Sequence, residues 1–359
     1  MSYRWLTSLF SMALLLLLPA AGFDRQVGSI SAATLTPIRA GFQPGRWWVE
    51  VYIAEQKGWF DKMGLAVTGQ SFTNGALEIA AGAAGSWDVA GSGNIPSMLG
   101  SAKYGLLNIG VADLESSSTA MIALPKAAAS YLKDPSQLKD KEIPVTTNTT
   151  SYWVANACLQ KKFHLAQGDW KFLNLSPPEI DSAMNSGKYD IATIWAPYIY
   201  VLNSSIGAKV ICTGKDVDVR LTSNLLVQPG FAKDHPDAVA KFLAVYEHAV
   251  AWERLHPKET QAYLLEFYNS RGVRIPAASV PDDLNSRPNF NLAEQLKVMH
   301  RPATGMSEFD QWMNATAEFA KSVGMIPSVP DPKTYITDKY MQMVQDDPQL
   351  RAFAQDGKN

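Results

Sequence analysis

The 359-residue chain balances 32 lysines and arginines against 34 aspartates and glutamates, for a net charge of −2. That balance provides no clustered basic face, which excludes a nucleic-acid-binding or membrane-surface protein. The 2 cysteines and 5 scattered histidines show no metal-ligand spacing, so the sequence assigns no metal site, no cofactor and no catalytic residue.

The first residues read as an export signal. Arg4 supplies a positive start, Leu6 to Leu18 an apolar core, and Pro19-Ala20-Ala21-Gly22 closes it. Residues 1–33 are assigned to this signal, with cleavage between 21 and 33, near Ala21 or after Ser31-Ala32-Ala33. The run is too short for a membrane span, so the expected location is the periplasm. About 325 residues remain, enough for two lobes with separate cores.

Strand and helix patterns then alternate, the signature of mostly parallel sheets. Strands are expected at Thr36 to Gly41, from Leu65, at Leu106 to Val111 and at Ala120 to Leu124. Helices are expected at Trp47 to Lys57 and at Gly75 to Ala84, the second capped by Asn74. A proline and a charged segment near residue 126 mark a crossing into new territory. Beyond it come strands at Ile143 to Thr146, Trp170 to Leu175, Ile191 to Trp195, Val210 to Cys212 and Asn224 to Val227. Helices follow at Tyr152 to Phe163, Pro177 to Asn185, Pro236 to Arg254, Lys258 to Phe267, Leu292 to Met299 and Ser307 to Val323. The expected division is 34–125 for a first lobe, 126–222 for a second, 223–327 for a return to the first with C-terminal helices, and 328–359 for a partly mobile tail.

Two stretches bear on function. In Ser86 to Met98 an apolar run gives way to Gly91, Ser92 and Gly93, Asn94 offers a cap, and Pro96 fits a first helical turn. In Pro144 to Trp153 a strand runs into the hydroxyl-rich Thr147-Asn148-Thr149-Thr150-Ser151 and then a helix. Each leaves unpaired backbone N–H groups at a helix start, a geometry suited to a small oxyanion. Cys158 and Cys212 either form one disulfide or remain buried free thiols. His164, His235, His248, His256 and His300 read as structural or exposed.

These residues resemble the solute-binding proteins of ABC importers, in the branch for taurine, aliphatic sulfonates and nitrate. The resemblance runs through Ala54-Glu55-Gln56-Lys57-Gly58-Trp59-Phe60, Gly64-Leu65-Ala66-Val67, Gly85 to Pro96, Leu173 to Glu179, Ile194-Trp195-Ala196-Pro197 and Gly230 to Pro236. It implies a type II periplasmic-binding-protein fold: two α/β lobes with mixed, mostly parallel sheets, joined by a two-strand hinge, with ligand in the cleft. The hinge strands are expected near Leu124–Lys126 and Ser223–Val227. The implied function is capture of a small, sulfonate-like organic anion by a monomer, and delivery to a membrane permease.

The resemblance also implies that the loop after the first strand touches the ligand. Gln43, Arg46 and Trp47 are its candidates, with Arg46 as the cation that holds the anion. Ser92, Gly93 and Asn94 form one donor cluster, Thr147, Thr149 and Thr150 the other. Trp195 covers the apolar part of the ligand, and Ser223 sits at the second crossing. Leu221-Thr222-Ser223-Asn224 lacks the carboxylate that taurine binders tend to carry for the ligand's amine, which favours a ligand with a neutral body. Nitrate and bicarbonate are smaller than the tryptophan-rich cleft requires, and a thiamine precursor is a further alternative. An enzyme on the same scaffold, a desulfinase or a thiamine-pyrimidine synthase, is the competing class; the cleft motifs hold no cysteine or histidine to serve it.

Overall fold

The computed structural model describes residues 35–358, so the export signal lies outside the described residues. Among the described residues, ten strands form two mixed sheets. The first contains β1 (Thr36–Phe42), β2 (Leu65–Ser71), β3 (Val89–Gly93), β4 (Leu107–Leu114) and β10 (Thr222–Val227), in the order β2-β1-β3-β10-β4. The second contains β5 (Thr119–Ala123), β6 (Glu142–Val145), β7 (Lys171–Asn174), β8 (Ile191–Trp195) and β9 (Lys209–Thr213), in the order β7-β6-β8-β5-β9. Helices flank both sheets, giving two α/β lobes. Local patterns account for the strands: Ile38, Ala40 and Phe42 of β1 are buried while Arg39 points outward to Asp88, 2.6 Å away.

One strand in each sheet breaks the parallel rule. β10 runs antiparallel to β3 and β4, and β5 runs antiparallel to β8 and β9. Each is the first strand laid down after the chain changes lobes. A crossing with no intervening α-helix, only a short 3-10 turn at Lys215–Val217 in the second, delivers the chain into the other sheet running against its neighbours.

The crossings lie between Leu114 and Thr119 and between Thr213 and Thr222. The expected crossings at 124–126 and 223–227 are therefore displaced: residues 119–123 already belong to the second sheet, and β10 belongs wholly to the first. The polar quartet Glu115-Ser116-Ser117-Ser118 resembles an ordinary turn. Pro125 starts the Pro125–Lys133 helix instead of marking a boundary. The Tyr152-to-Phe163 helix likewise begins earlier, as Thr150–Ala157, and passes into a π-turn at Cys158–Lys162.

The tail is docked rather than partly mobile. Lys339–Asp346 and Pro348–Asp356 are helices that pack on Pro236–Leu255 and bury Tyr340, Met341, Val344 and Ala354. The Tyr340 hydroxyl donates to the Ala232 carbonyl at 3.1 Å, and the His248 ring lies 2.7 Å from the Phe353 carbonyl and 3.0 Å from that of Lys358.

Cys158 and Cys212 form a disulfide, with Cα atoms 6.0 Å apart and a sequence separation of 54. It ties the far end of the helix that starts at Thr150 to β9. Cross-linking a loop of this length stabilises by about 2–4 kcal/mol, chiefly by constraining the unfolded chain. A Cys158→Ser, Cys212→Ser double variant is expected to lose that amount in urea melts; unchanged melting midpoints would mean that the second lobe is insensitive to the bond.

Candidate functional site

A narrow hollow lies between the lobes. Gln43, Pro44, Gly45, Trp47, Gly75, Gly93 and Pro96 line it from the first lobe, and Thr149, Thr150 and Trp195 from the second. Glu115 and Arg287 complete the wall. Its cavity of about 20 Å³ holds about one water. In this arrangement the cleft is thus smaller than the organic-anion cleft expected from its tryptophans.

Small residues permit this close approach. A Cβ at Gly91 would overlap the Trp47 ring, so the strand there must be glycine for Trp47 to lie on the wall. Trp48 turns the other way and stacks on Phe42 in the core, ring centroids 4.3 Å apart. A Cβ at Gly93 would sit 2.8 Å from Thr150 Cγ2, so the two lobes nearly touch at this point.

Two helices open towards the hollow. Asn94–Tyr104 has Gly93 as its N-cap, with no side chain capping it, and Pro96 in its first turn. Thr150–Ala157 has Thr149 as its N-cap; the Thr149 hydroxyl donates to the Thr146 carbonyl at 2.7 Å instead of capping. Both helix starts therefore present uncapped first turns to the same space, with partial positive charge.

The structure separates the other candidates from the hollow. Asn94 does not cap its helix; its amide donates to Thr316 Oγ1 at 2.7 Å. Ser92 lies behind the wall and accepts from Gln43 Nε2 at 3.2 Å, while Gln43 Nε2 also donates to the buried Glu78 at 2.5 Å. Thr147 is half-buried, its backbone N–H donating to Asn174 Oδ1 at 2.9 Å. Ser223 is buried in β10 opposite both Gly93 and Asp113.

Arg46 requires the largest correction. Its guanidinium is buried and bonded to Glu50 and to Glu253, the latter at 2.6 Å. Asn289 donates to the same two carboxylates, at 3.2 and 3.0 Å. With two acids engaging it from inside the first lobe, Arg46 anchors its loop from beneath and does not face the hollow.

Arg287 is the arginine on the wall. It follows the Val280–Ser286 helix, donates to Asp283 at 2.5 Å and to the Tyr268 hydroxyl at 2.7 Å, and reaches the Ala196 carbonyl at 3.4 Å. Its Nε has no partner. Beside it stand Asp113, near the end of β4, and Glu115, one residue past it, both buried. Neither oxygen of Asp113 has a hydrogen-bond partner. Burial first, and then the neighbouring Glu115 charge, push the Asp113 carboxyl up to about 7, against the pull of Arg287, Arg46 and the Ser223 hydroxyl. Burial raises Glu115 as well. Across the sheet, Asp113 of β4 stands opposite Ser223 of that carboxylate-free stretch.

Glu115 and Arg287 were not among the sequence candidates. Asp113 and Glu115 stand two residues apart at a strand end, a spacing that puts both on one face and was a usable signal. Arg287 is brought in from a distant segment and carries no local mark. Among the described residues lining the hollow there is no cysteine or histidine.

Two α/β lobes, each with one antiparallel strand laid down just after a crossing, around a hollow at their junction, define the type II periplasmic-binding-protein fold. The sequence profile described as NMT1/THI5 like matches residues 48–260, more than half of the chain, and the chain belongs to that family. A Bacillus subtilis (strain 168) protein named for aliphatic sulfonates binding is 28% identical over 230 residues, 63% of this chain and 68% of its own. Among solved structures, the periplasmic aliphatic sulphonate binding protein SsuA of Escherichia coli superposes with a TM-score of 0.66 at 21% identity, covering 84% of this chain and 92% of that one. The alkanesulfonate-binding protein SsuA of Xanthomonas axonopodis pv. citri, bound to MOPS, gives 0.67 at 20% identity, covering 85% and 99%. At these identities the structural likeness establishes the fold alone.

The Asp113 carboxyl sets a pH dependence. Folded Asp113 holds its proton to about pH 7, whereas its ordinary value is 3.8. Between these values the folded chain binds the extra proton, so stability falls as pH rises, by up to about 1.4 kcal/mol per pH unit for one group. Between pH 5 and 8 the wild type is expected to lose more unfolding free energy than Asp113→Asn in denaturant melts. Equal losses would mean that Asp113 is charged throughout.

Proposed function

We propose that this chain is the periplasmic solute-binding component of an ABC importer, a monomer that holds a small, sulfonate-type organic anion between its lobes and hands it to the membrane permease. The observation that carries this reading is that uncapped helix starts from both lobes, at Gly93 and at Thr149 and Thr150, face one hollow. Two helix ends meet an anion with N–H donors and no full countercharge. Trp47 and Trp195 supply apolar walls for the rest of the ligand. The sulfonate-binding names of the relatives favour the same ligand class.

With room for about one water between the walls, an organic solute enters by parting of the lobes. Its contacts to both lobes then draw them back together, a population shift that needs no chemistry. Ligand binding therefore depends on closure at the point where the lobes nearly touch.

Thermal-shift measurements with alkanesulfonates, carboxylates and nitrate test this. A sulfonate at about a hundred times its Kd stabilises by about 2.7 kcal/mol through mass action. Gly93 has φ −58°, so Gly93→Val is tolerated by the backbone but obstructs closure against Thr150. It is expected to abolish the shift and keep the ligand-free melting temperature. Trp195→Ala is expected to weaken organic sulfonates more than inorganic anions. No shift with any of these anions, or a full shift in Gly93→Val, refutes the reading.

A further inference from the structure

Away from the hollow, the lobes also meet through aromatic rings. Trp153, from the helix that starts at Thr150, stacks on Phe319 with ring centroids 5.2 Å apart and planes 13° from parallel. Tyr152 meets the same ring at 6.2 Å and also contacts Phe172 of β7 at 5.2 Å. Phe319 belongs to the first lobe: its helix, Glu308–Ser322, buries Phe309, Met313, Ala317 and Ala320 in that lobe's core. Trp153 is half-buried and packs against the cores of both lobes. Neither ring lines the hollow; together they border an open groove with Asn156, Gln160 and Ser322. One turn before Phe319, Thr316 of the same helix accepts the Asn94 amide at 2.7 Å. The Glu308–Ser322 helix thus holds the helix start at Asn94 through Thr316 and the helix start at Thr150 through Phe319.

We propose that the Trp153–Phe319 stack is a latch: it holds the lobes shut in the absence of solute, and so sets how often the hollow opens to admit or release one. Each ring loses its partner and meets water when the lobes part, and no hydrogen bond or charge pair is gained in exchange. The cost of opening therefore falls on two residues that do not line the hollow. A stack of this kind, with the apolar area it covers, favours the shut form about tenfold relative to a pair with one ring removed. Because the latch is intact in both the empty and the loaded shut forms, it slows entry and exit together. Latch strength then governs the rate of exchange, and the groups lining the hollow govern which solute is kept. This inference rests on the inter-lobe capture reading for its consequence, but its test needs no solute.

The test is a distance measurement between the lobes of the empty protein by pulsed electron spin resonance. Thr73→Cys in the first lobe and Pro178→Cys in the second place one spin label each at exposed positions shortly past the carboxyl ends of β2 and β7. The native cysteines are paired and take no label. With Trp153 and Phe319 intact, one short distance matching the closed lobes is expected. Trp153→Ala and Phe319→Ala cut the latch from opposite sides. Each is expected to raise the ratio of long to short distances about tenfold, with little further change when the two are combined. Trp153→Phe, which keeps a ring to stack, is expected to retain the short distance. A dominant long distance with the latch intact, distributions unchanged in both alanine variants, or alanine effects that add in full overturns the latch. Each of those results leaves anion capture standing, which the thermal-shift measurements decide separately.

Discussion

The hollow depends on the pairing of the two segments that carry the chain between lobes. Residues 115–118 and 214–221 run side by side: Glu115 N–H donates to the Leu221 carbonyl at 2.9 Å, Lys215 N–H to the Ser116 carbonyl at 2.8 Å, and Leu221 N–H to Ser116 Oγ at 2.9 Å. Held together in this way, the segments leave rotation of one lobe against the other as the soft motion. Glu115 begins the first segment and also lines the hollow. A contact made there acts at the axis of the movement, while contacts at Gly93 and Thr150 act where the lobes meet. On the proposed reading, ligand recognition and lobe position are coupled through these few residues.

The buried charges hold the surrounding loops in place. A buried ion pair is weak evidence for stability, because desolvation offsets its attraction, but removal of one partner is costly. Here Arg46 and Asn289 clamp Glu50 and Glu253, and Arg287 clamps Asp283. Leu114 N–H donates to the Pro288 carbonyl at 3.1 Å, which lays the segment around Arg287 along the edge strand β4. The loop from Gln43 to Trp47 is thus fastened from below, and its Trp47 ring is free to form a wall.

Much of the fold was legible because its signals are local. Pro177–Asn185, Ile191–Trp195 and Leu292–Met299 lie where periodicity, prolines and capping residues put them. Gln43, Trp47, Gly93, Thr149, Thr150 and Trp195 converge on one space, because each belongs to a turn at the carboxyl end of a strand. What escaped was non-local or ambiguous. Arg46 looked like a loop cation, although Glu50 four residues on marked it as half of a helical ion pair. Asp113 and Arg287 come together only through the fold. The first crossing was hidden because a short polar quartet serves equally well as a turn within one lobe.

The placement of β10 has a consequence for the order in which the protein is assembled. The second lobe is one unbroken stretch, residues 119–213, set inside a first lobe whose central strand β10 follows it in the chain. A polypeptide emerging from its amino end has every strand of the second sheet before it has the fifth strand of the first. Until residue 227 appears, β3 and β4 lack the partner that separates and joins them. The inserted lobe can mature as a unit early, whereas its host closes last, around an already formed guest half.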